Sequence, residues 1–295
     1  MADTQNAIYA QAYSQNIMQL AQQKYSKLIN TVYIKPNVRG KTFFQDQIGE
    51  WEMETKGGRN VDTPNNDPVL GRRMGIMVDY HDNRMLDRGD ELKSISDPKS
   101  SYTIAAASSL GRKIDDVIVA AIRGTAYTGE TGSVAAPTAA IIAVSAANMS
   151  LSLVLDAKKA LDDSNVEMED RFMVVNTTAL NAMLDVTEIG SADYNSIKAL
   201  IRGEIDTFLG FKWIMSTRVN SSDVGYAYQK YGLCAAMGSA PMVRTDERSD
   251  KSYSWQIYYE LNIGAVRLEE SRVKFFKKDK QIIINNLNAI GVKRR

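Results

Sequence analysis

Hydrophobic and polar positions along this chain recur with two different periods, and the difference separates its helices from its strands. Between residues 1 and 30, Tyr9, Tyr13, Ile17, Leu20, Ala21, Tyr25 and Leu28 recur at three- and four-residue steps among Gln, Asn and Ser, which predicts an amphipathic helix. The stripe is weakly apolar, so this helix is expected to dock onto something already folded. Val32 to Val38 is expected to be extended, because Pro36 forbids a helix there. The strongest helical pattern is 98–123. Asp97 can cap it, Pro98 suits the first helical position, and Ala107, Leu110, Ile114, Val117, Ile118 and Ala121 form the expected buried stripe. Arg112, Lys113, Asp115 and Asp116 fall on the polar side, and Gly124 is expected to end the helix at the C′ position. At ~1.5 Å per residue this is a rod of roughly 39 Å.

Later segments are shorter. Leu151 to Leu161 has Leu151, Val154, Leu155, Lys158 and Leu161 in helical step, and a helix through Leu184 is expected to be capped by Asn176 or Thr177. Ile197–Arg202 reads as a helical turn. Ala139–Val144, Arg171–Val175, Phe211–Thr217, Leu233–Met237, Ser254–Leu261, Gly264–Leu268 and Val273–Phe276 are strand candidates by their β-branched and aromatic content. Helices and strands interleave without a regular βαβ period, so the class is α+β.

The segment from Lys35 to Glu91 is too polar to fold alone, yet it carries two strand-like runs. Lys41 to Met53 runs out, Arg72 to Tyr80 returns, and the turn formers Gly57, Gly58, Asn60, Asp62, Pro64, Asn65, Asn66, Asp67 and Pro68 lie between them. An isolated two-stranded ribbon is marginal in water, and long open strands invite pairing. Such an arm makes physical sense if another copy of the chain covers it.

Composition changes this picture little. The chain has 295 residues, 44% hydrophobic and 24% charged, with a formal net charge of +1, so no global field recommends nucleic acid or membrane. The charge is uneven, however. After Ser271, Arg272, Lys274, Lys277, Lys278, Lys280, Lys293, Arg294 and Arg295 face Asp279 alone. That run reads as a solvated tail or strand edge, or as a contact for an acidic surface. The single cysteine, Cys234, fits a reducing cytoplasm and excludes an intramolecular disulfide. No apolar run approaches the roughly 20 residues needed to span a bilayer, and no basic-then-apolar leader is present.

The chemistry-bearing residues point away from catalysis. One histidine, His81, with no nucleophile elbow, leaves little room for a Ser–His–Asp site, and with Cys234 it cannot supply the three or four ligands of zinc. Gly124 to Thr131 has the two glycines of a phosphate loop, but Glu130 stands where the lysine would be, and the loop follows a helix. Asp62, Asn65, Asn66 and Asp67, and likewise Asp246, Glu247 and Asp250, lack calcium-loop spacing. Asp162-Asp163 reads as a solvated helix end, and Cys234 as a small core residue. The sequons at Asn148, Asn176 and Asn220 are idle without a secretory route. No catalytic residue, cofactor or metal site is expected.

The order of elements is helical N-terminal arm, long hairpin, one long helix, an α+β block and returning strands. That order resembles the major capsid proteins of tailed bacteriophages, with the Hong Kong 97-like fold, and is most similar to those of short-tailed phages. The likeness rests on Arg72-Arg73 leading through Val78-Asp79-Tyr80 to Asp87 and Asp90-Glu91-Leu92. It continues in Leu110 to Ile118, Gly124 to Gly129, Ala157 to Asp162, Arg171 to Val175, Gly203 to Phe211 and Gly264 to Arg267. The first thirty residues and the last fifteen add little to it.

The resemblance implies an N-terminal arm (1–33), an extension loop or E-loop (34–93) lying across a neighbour, and a peripheral domain (94–148 and 255–295) with the spine helix 98–123. It implies an axial domain at 149–254. The implied function is to self-assemble into hexamers and pentamers that form the icosahedral shell around packaged double-stranded DNA. The shell would be built in the host cytoplasm and end in the virion. Portal, scaffolding and cement proteins are the implied further partners, with no membrane. Phe43, Phe44, Ile48, Trp51, Arg72, Arg73, Met74, Ile76, Arg84, Asp87 and Arg88 are the expected inter-subunit contacts. Lys24 and Lys27 are candidates for facing DNA. No position matches a cross-linking motif. A cellular nanocompartment shell of the same fold, an α+β enzyme with an unrecognised site, and a DNA-binding structural protein are the alternatives.

Overall fold

The structure, a computed structural model, describes residues 22–62, 65–87, 98–136, 139–144, 149–184, 207–220, 222–238 and 242–278. In chain order come β1 (Tyr33–Lys35), β2 (Thr42–Ile48), β3 (Leu70–Ile76), β4 (Val78–Leu86) and helix α1 (Pro98–Arg123). Then follow β5 (Tyr127–Thr128), β6 (Val134–Ala135), β7 (Ala140–Val144), α2 (Leu151–Asp162), β8 (Arg171–Val175) and α3 (Thr177–Leu184). The last elements are β9 (Thr207–Phe208), β10 (Phe211–Met215), β11 (Asp223–Gln229), β12 (Leu233–Met237), β13 (Met242–Arg248), β14 (Ser254–Arg267) and β15 (Val273–Lys278). This is the mixed α+β class expected. The chain divides into a smaller unit, Met1–Ser26, Asp79–Lys113 and Ala240–Leu261, and a larger one, Lys27–Val78, Ile114–Ser239 and Asn262–Arg295.

In the larger unit a six-stranded sheet has the order β7-β15-β11-β8-β10-β9. β8 and β11 are buried along their whole length. Val154, Ala157 and Leu161 of α2 and Ala179, Leu180 and Met183 of α3 share one core with Met173, Val175, Val224, Ala227 and Phe276 from the sheet. Asn176 caps α3, accepting the Ala179 N–H at 2.7 Å. β1 runs parallel to β12, which pairs antiparallel with Ile263–Arg267 of β14. A four-stranded sheet, β2-β3-β5-β6, carries the hairpin arm. Phe43, Met77, Ala126, Cys234, Val266 and Leu268 belong to a second core.

In the smaller unit β13 pairs antiparallel with Ser254–Glu260 over seven residues, and β4 also pairs with β14. The Tyr259 hydroxyl donates to Asp82 at 2.6 Å, and the Lys113 ammonium lies 4.2 Å over the Tyr80 ring. His81 stacks on Tyr258, a structural surface role.

Several expectations are corrected. Residues 22–28 are not helical and lead to a 3₁₀ turn at Ile29–Thr31, while 1–21 lie outside the described residues, as do Asp97 and 197–202. The buried row of α1 is Ala106, Leu110, Ile114, Ile118 and Ile122, with Ala107 exposed. A row at four-residue steps advances about 40° per step around a 3.6-residue helix, so the buried face drifts away from a fixed stripe. Asp115, expected on the polar side, is fully buried. In α2, Leu155 is exposed and the buried row is Val154, Ala157 and Leu161. Gly124 does not take the left-handed C′ conformation; its N–H bonds the Ala120 carbonyl at 2.8 Å. β14 is one strand where two were expected. Gly264 lies inside it because the backbone of Ile76 passes so close that a Cβ would sit 2.3 Å from its carbonyl oxygen.

Candidate assembly surfaces

The arm is an antiparallel pair in which Thr42 to Ile48 oppose Ile76 to Leu70. This is shorter than the runs expected from the sequence. Residues 49–69 form no strand among those described, and Val78 to Leu86 pairs elsewhere. Side chains alternate between the two faces of a strand, so the register sorts the arm's residues.

One face looks into the chain's own body. Phe43 is buried, and its ring lies over Gly75 so closely that a Cβ there would be 2.2 Å from it. Arg73 is buried as well, with its Nε donating to the Leu268 carbonyl at 2.8 Å and its guanidinium 2.6 Å from Glu270. Gln47 donates to the same carbonyl at 2.9 Å. Glu270 lies 3.6 Å from Arg267, whose side chain is 1% exposed. Arg267 donates to the carbonyls of Ile122 and Gly124 at 2.9 and 3.0 Å, at the C-terminal end of α1, where a cation is favoured. Burial lowers the Arg267 pKa, and Glu270 opposes that shift. A two-arginine, one-glutamate cluster thus ties the arm's base to the end of the long helix.

The other face carries Phe44, Asp46, Ile48, Leu70, Arg72 and Ile76. Arg72 pairs with Asp46, directly opposite, at 2.6 Å, and lies 5.5 Å over the Phe44 ring. The Arg72 guanidinium holds the Asp46 carboxyl below its usual range. Ile48, Leu70 and Ile76 are exposed, and so are Trp51 at 58%, Met53 at 97% and Val69 at 77%. Beyond the paired strands, Trp51, Met53, Val61, Asn65 and Asn66 line an open hollow of about 840 Å³.

The expected contact residues are therefore divided. Phe43 and Arg73 lie on the arm but turn inward to their own chain, and Met74 is half-buried. Arg84 is exposed, 3.9 Å from Asp82, and Asp87 is exposed, whereas Arg88 lies outside the described residues. Lys24 is exposed. The Lys27 ammonium donates to the Met215 carbonyl at 2.8 Å, so its charge is directed at its own chain.

Three polar centres are buried that the sequence does not lead one to expect. Asp115 accepts the backbone N–H groups of Lys27 and Leu28, both at 3.1 Å, and so fixes where the N-terminal segment meets the long helix. Asp223 pairs with Arg123 at 2.7 Å. Asp162, expected to be solvated, pairs with buried Arg171 at 2.6 Å. Partners of Asp115 and Asp223 are distant in sequence, and no local spacing announces them. Cys234 is wholly buried, and burial pushes its pKa up to about 11. Among the described residues no group of acidic, histidine or cysteine side chains could hold a metal, and no helix is long and apolar enough to cross a membrane.

A family model described as phage capsid protein matches residues 5–275. The structure is similar to the capsid of the cyanophage P-SCSP1u, 12% identical with a TM-score of 0.76, covering 93% of this chain and 94% of that one. The capsid of a native GTA particle is 14% identical with a TM-score of 0.74, covering 94% and 97%. For the capsid of Ralstonia phage GP4 the values are 11% and 0.67, covering 92% and 96%. No curated protein matches the chain in sequence.

Proposed function

The chain belongs to the phage capsid protein family, and from that premise we propose that it is the major shell subunit of a Hong Kong 97-like capsid, nearest to those of short-tailed phages. As a member of that family it is a structural protein of a virion shell and not an enzyme. Sister copies gather as hexamers and pentamers around packaged double-stranded DNA, with portal, scaffolding and cement proteins as further partners, and assembly takes place in the host cytoplasm. Residues 1–33 act as the N-terminal arm and 34–93 as the extension loop. The peripheral domain is 94–148 with 255–295, including the spine helix, and the axial domain is 149–254.

One observation carries this reading. The arm's inward face is anchored by Phe43, Arg73 and Gln47, while its outward face and tip leave Ile48, Trp51, Met53, Val69 and Leu70 in water. A soluble monomer gains nothing from such a surface. A neighbour's surface laid against it removes that apolar area from water and completes the open edge of β2. Phe44, Ile48, Trp51, Arg72, Ile76, Arg84, Asp87 and Arg88 are the contacts, and the hollow at the tip receives a neighbour's side chains. Ion pairs such as Arg72–Asp46 set register more than they add energy. Electron microscopy of the purified chain, alone and with a co-encoded scaffold, tests this. Closed shells or capsomers of five and six subunits are expected, and a protein that remains monomeric under both conditions would refute it.

A further inference from the structure

β13 ends its sheet among the described residues, and its five central residues, Val243 to Glu247, are all exposed. Edge strands of soluble monomers are protected by a bulge, a proline or charged side chains. β13 has neither bulge nor proline: it pairs with β14 over seven consecutive residues without a register shift, and it reads Met-Val-Arg-Thr-Asp-Glu-Arg, so charge is its only protection and works against a copy only in registers that set like charges opposite each other. Its charges are of both signs. Arg248 is occupied by Asp250 of its own hairpin. Arg244 donates to the Met242 sulfur, and among the described residues Arg244, Asp246 and Glu247 have no ion pair.

We propose that the outer edge of β13 pairs antiparallel with the same edge of a second copy, centred on Thr245. This rests on the shell reading, since only a self-assembling chain presents that edge to itself. Geometry limits the registers. Backbone N–H and C=O groups of alternate residues point outward, so a strand paired with its own copy about a two-fold axis must be centred on a residue, not between two. Centring on Arg244 or Asp246 sets like charges opposite each other. Centring on Thr245 uses all seven strand residues and sets Arg244 against Asp246 twice, with Thr245 facing Thr245. Opposite charges and paired threonines are both favourable directly across an antiparallel ladder, and like charges are not.

Charge reversal and its rescue test the register. Arg244→Asp and Asp246→Arg each replace two attractive pairs by two repulsive ones, which is expected to weaken the contact by about tenfold or more. The double variant R244D/D246R restores both pairs and is expected to recover assembly, read by sedimentation of particles. Both side chains are exposed, and circular dichroism of the soluble subunits confirms folding. Single variants that assemble like the unmodified chain, or folded singles that the double variant fails to rescue, would overturn the proposal. Thr245→Cys supplies a second readout: under mild oxidation the two copies should link into a covalent dimer. Particles without that dimer would sink the edge pairing and leave the shell reading intact. Dimers without particles would sink the shell reading and keep the edge pairing.

Discussion

Replacing Glu270 by Gln should destabilise the unassembled subunit by about 2–4 kcal/mol, because it leaves two arginines facing each other without their shared acid. Removing one partner of a buried ion pair typically costs about 3–5 kcal/mol. Here the side chains of Arg73, Glu270 and Arg267 keep 10%, 19% and 1% of their exposure, so residual solvent screens part of that cost. Arg73→Met should cost less, about 1–2 kcal/mol, since Glu270 keeps Arg267 and only the hydrogen bond to Leu268 is lost with the pair. Asp46→Asn is the internal control. It breaks a pair of similar length whose side chains are 43% and 70% exposed, and exposed pairs often contribute nothing measurable. Urea unfolding of the three variants, followed by circular dichroism, measures the differences through the midpoints. A Glu270→Gln midpoint no lower than that of Asp46→Asn would refute the reasoning that this cluster anchors the arm.

Three further outcomes are expected. Asp115→Ala removes the acceptor of two backbone N–H groups and should cost about 2–4 kcal/mol, with limited proteolysis cutting near Lys27 in the variant but not in the parent. Trp51→Ser with Met53→Ser should leave the unfolding midpoint of the subunit unchanged, because both are exposed, while sharply reducing particle yield in sedimentation. Cys234 should not react with a thiol reagent at pH 8 until the chain unfolds, since burial both hides the sulfur and holds its pKa at about 11, so the thiolate forms only as the pH approaches that value; absorbance during denaturant titration reads this directly.

Elements set by local pattern were legible in the sequence. The long helix, the Leu151 helix and the buried strand Arg171–Val175 all lie where periodicity and β-branched content put them, and Leu233–Met237 is a strand as expected although none of its residues is β-branched. The position of the arm was legible too, from its polarity and its cluster of turn formers. Its faces were not. Phe43 and Phe44 are adjacent and equally apolar, so they must point opposite ways, and which one turns inward depends on Gly75, which leaves room for a ring only opposite Phe43. β11 was missed because Asp223, Gly225 and Gln229 make it look like a polar turn. It is buried because Arg123 reaches Asp223, Arg272 reaches Gln229 and Thr31 meets Tyr228, all from distant parts of the chain. Asp115 follows the same logic, since the donors that justify its burial lie 87 and 88 residues away. Long-range polar pairs of this kind have no periodicity to betray them.

Hydrogen exchange along the arm in free subunits and in purified particles tests most directly whether sister copies complete this molecule. The amides of 50–62, which form no strand, should exchange freely in the subunit and become protected by about a hundredfold or more in the particle, a gain set by the free energy of burying the tip. Equal exchange in both states would contradict the claim that the arm is finished by a neighbour.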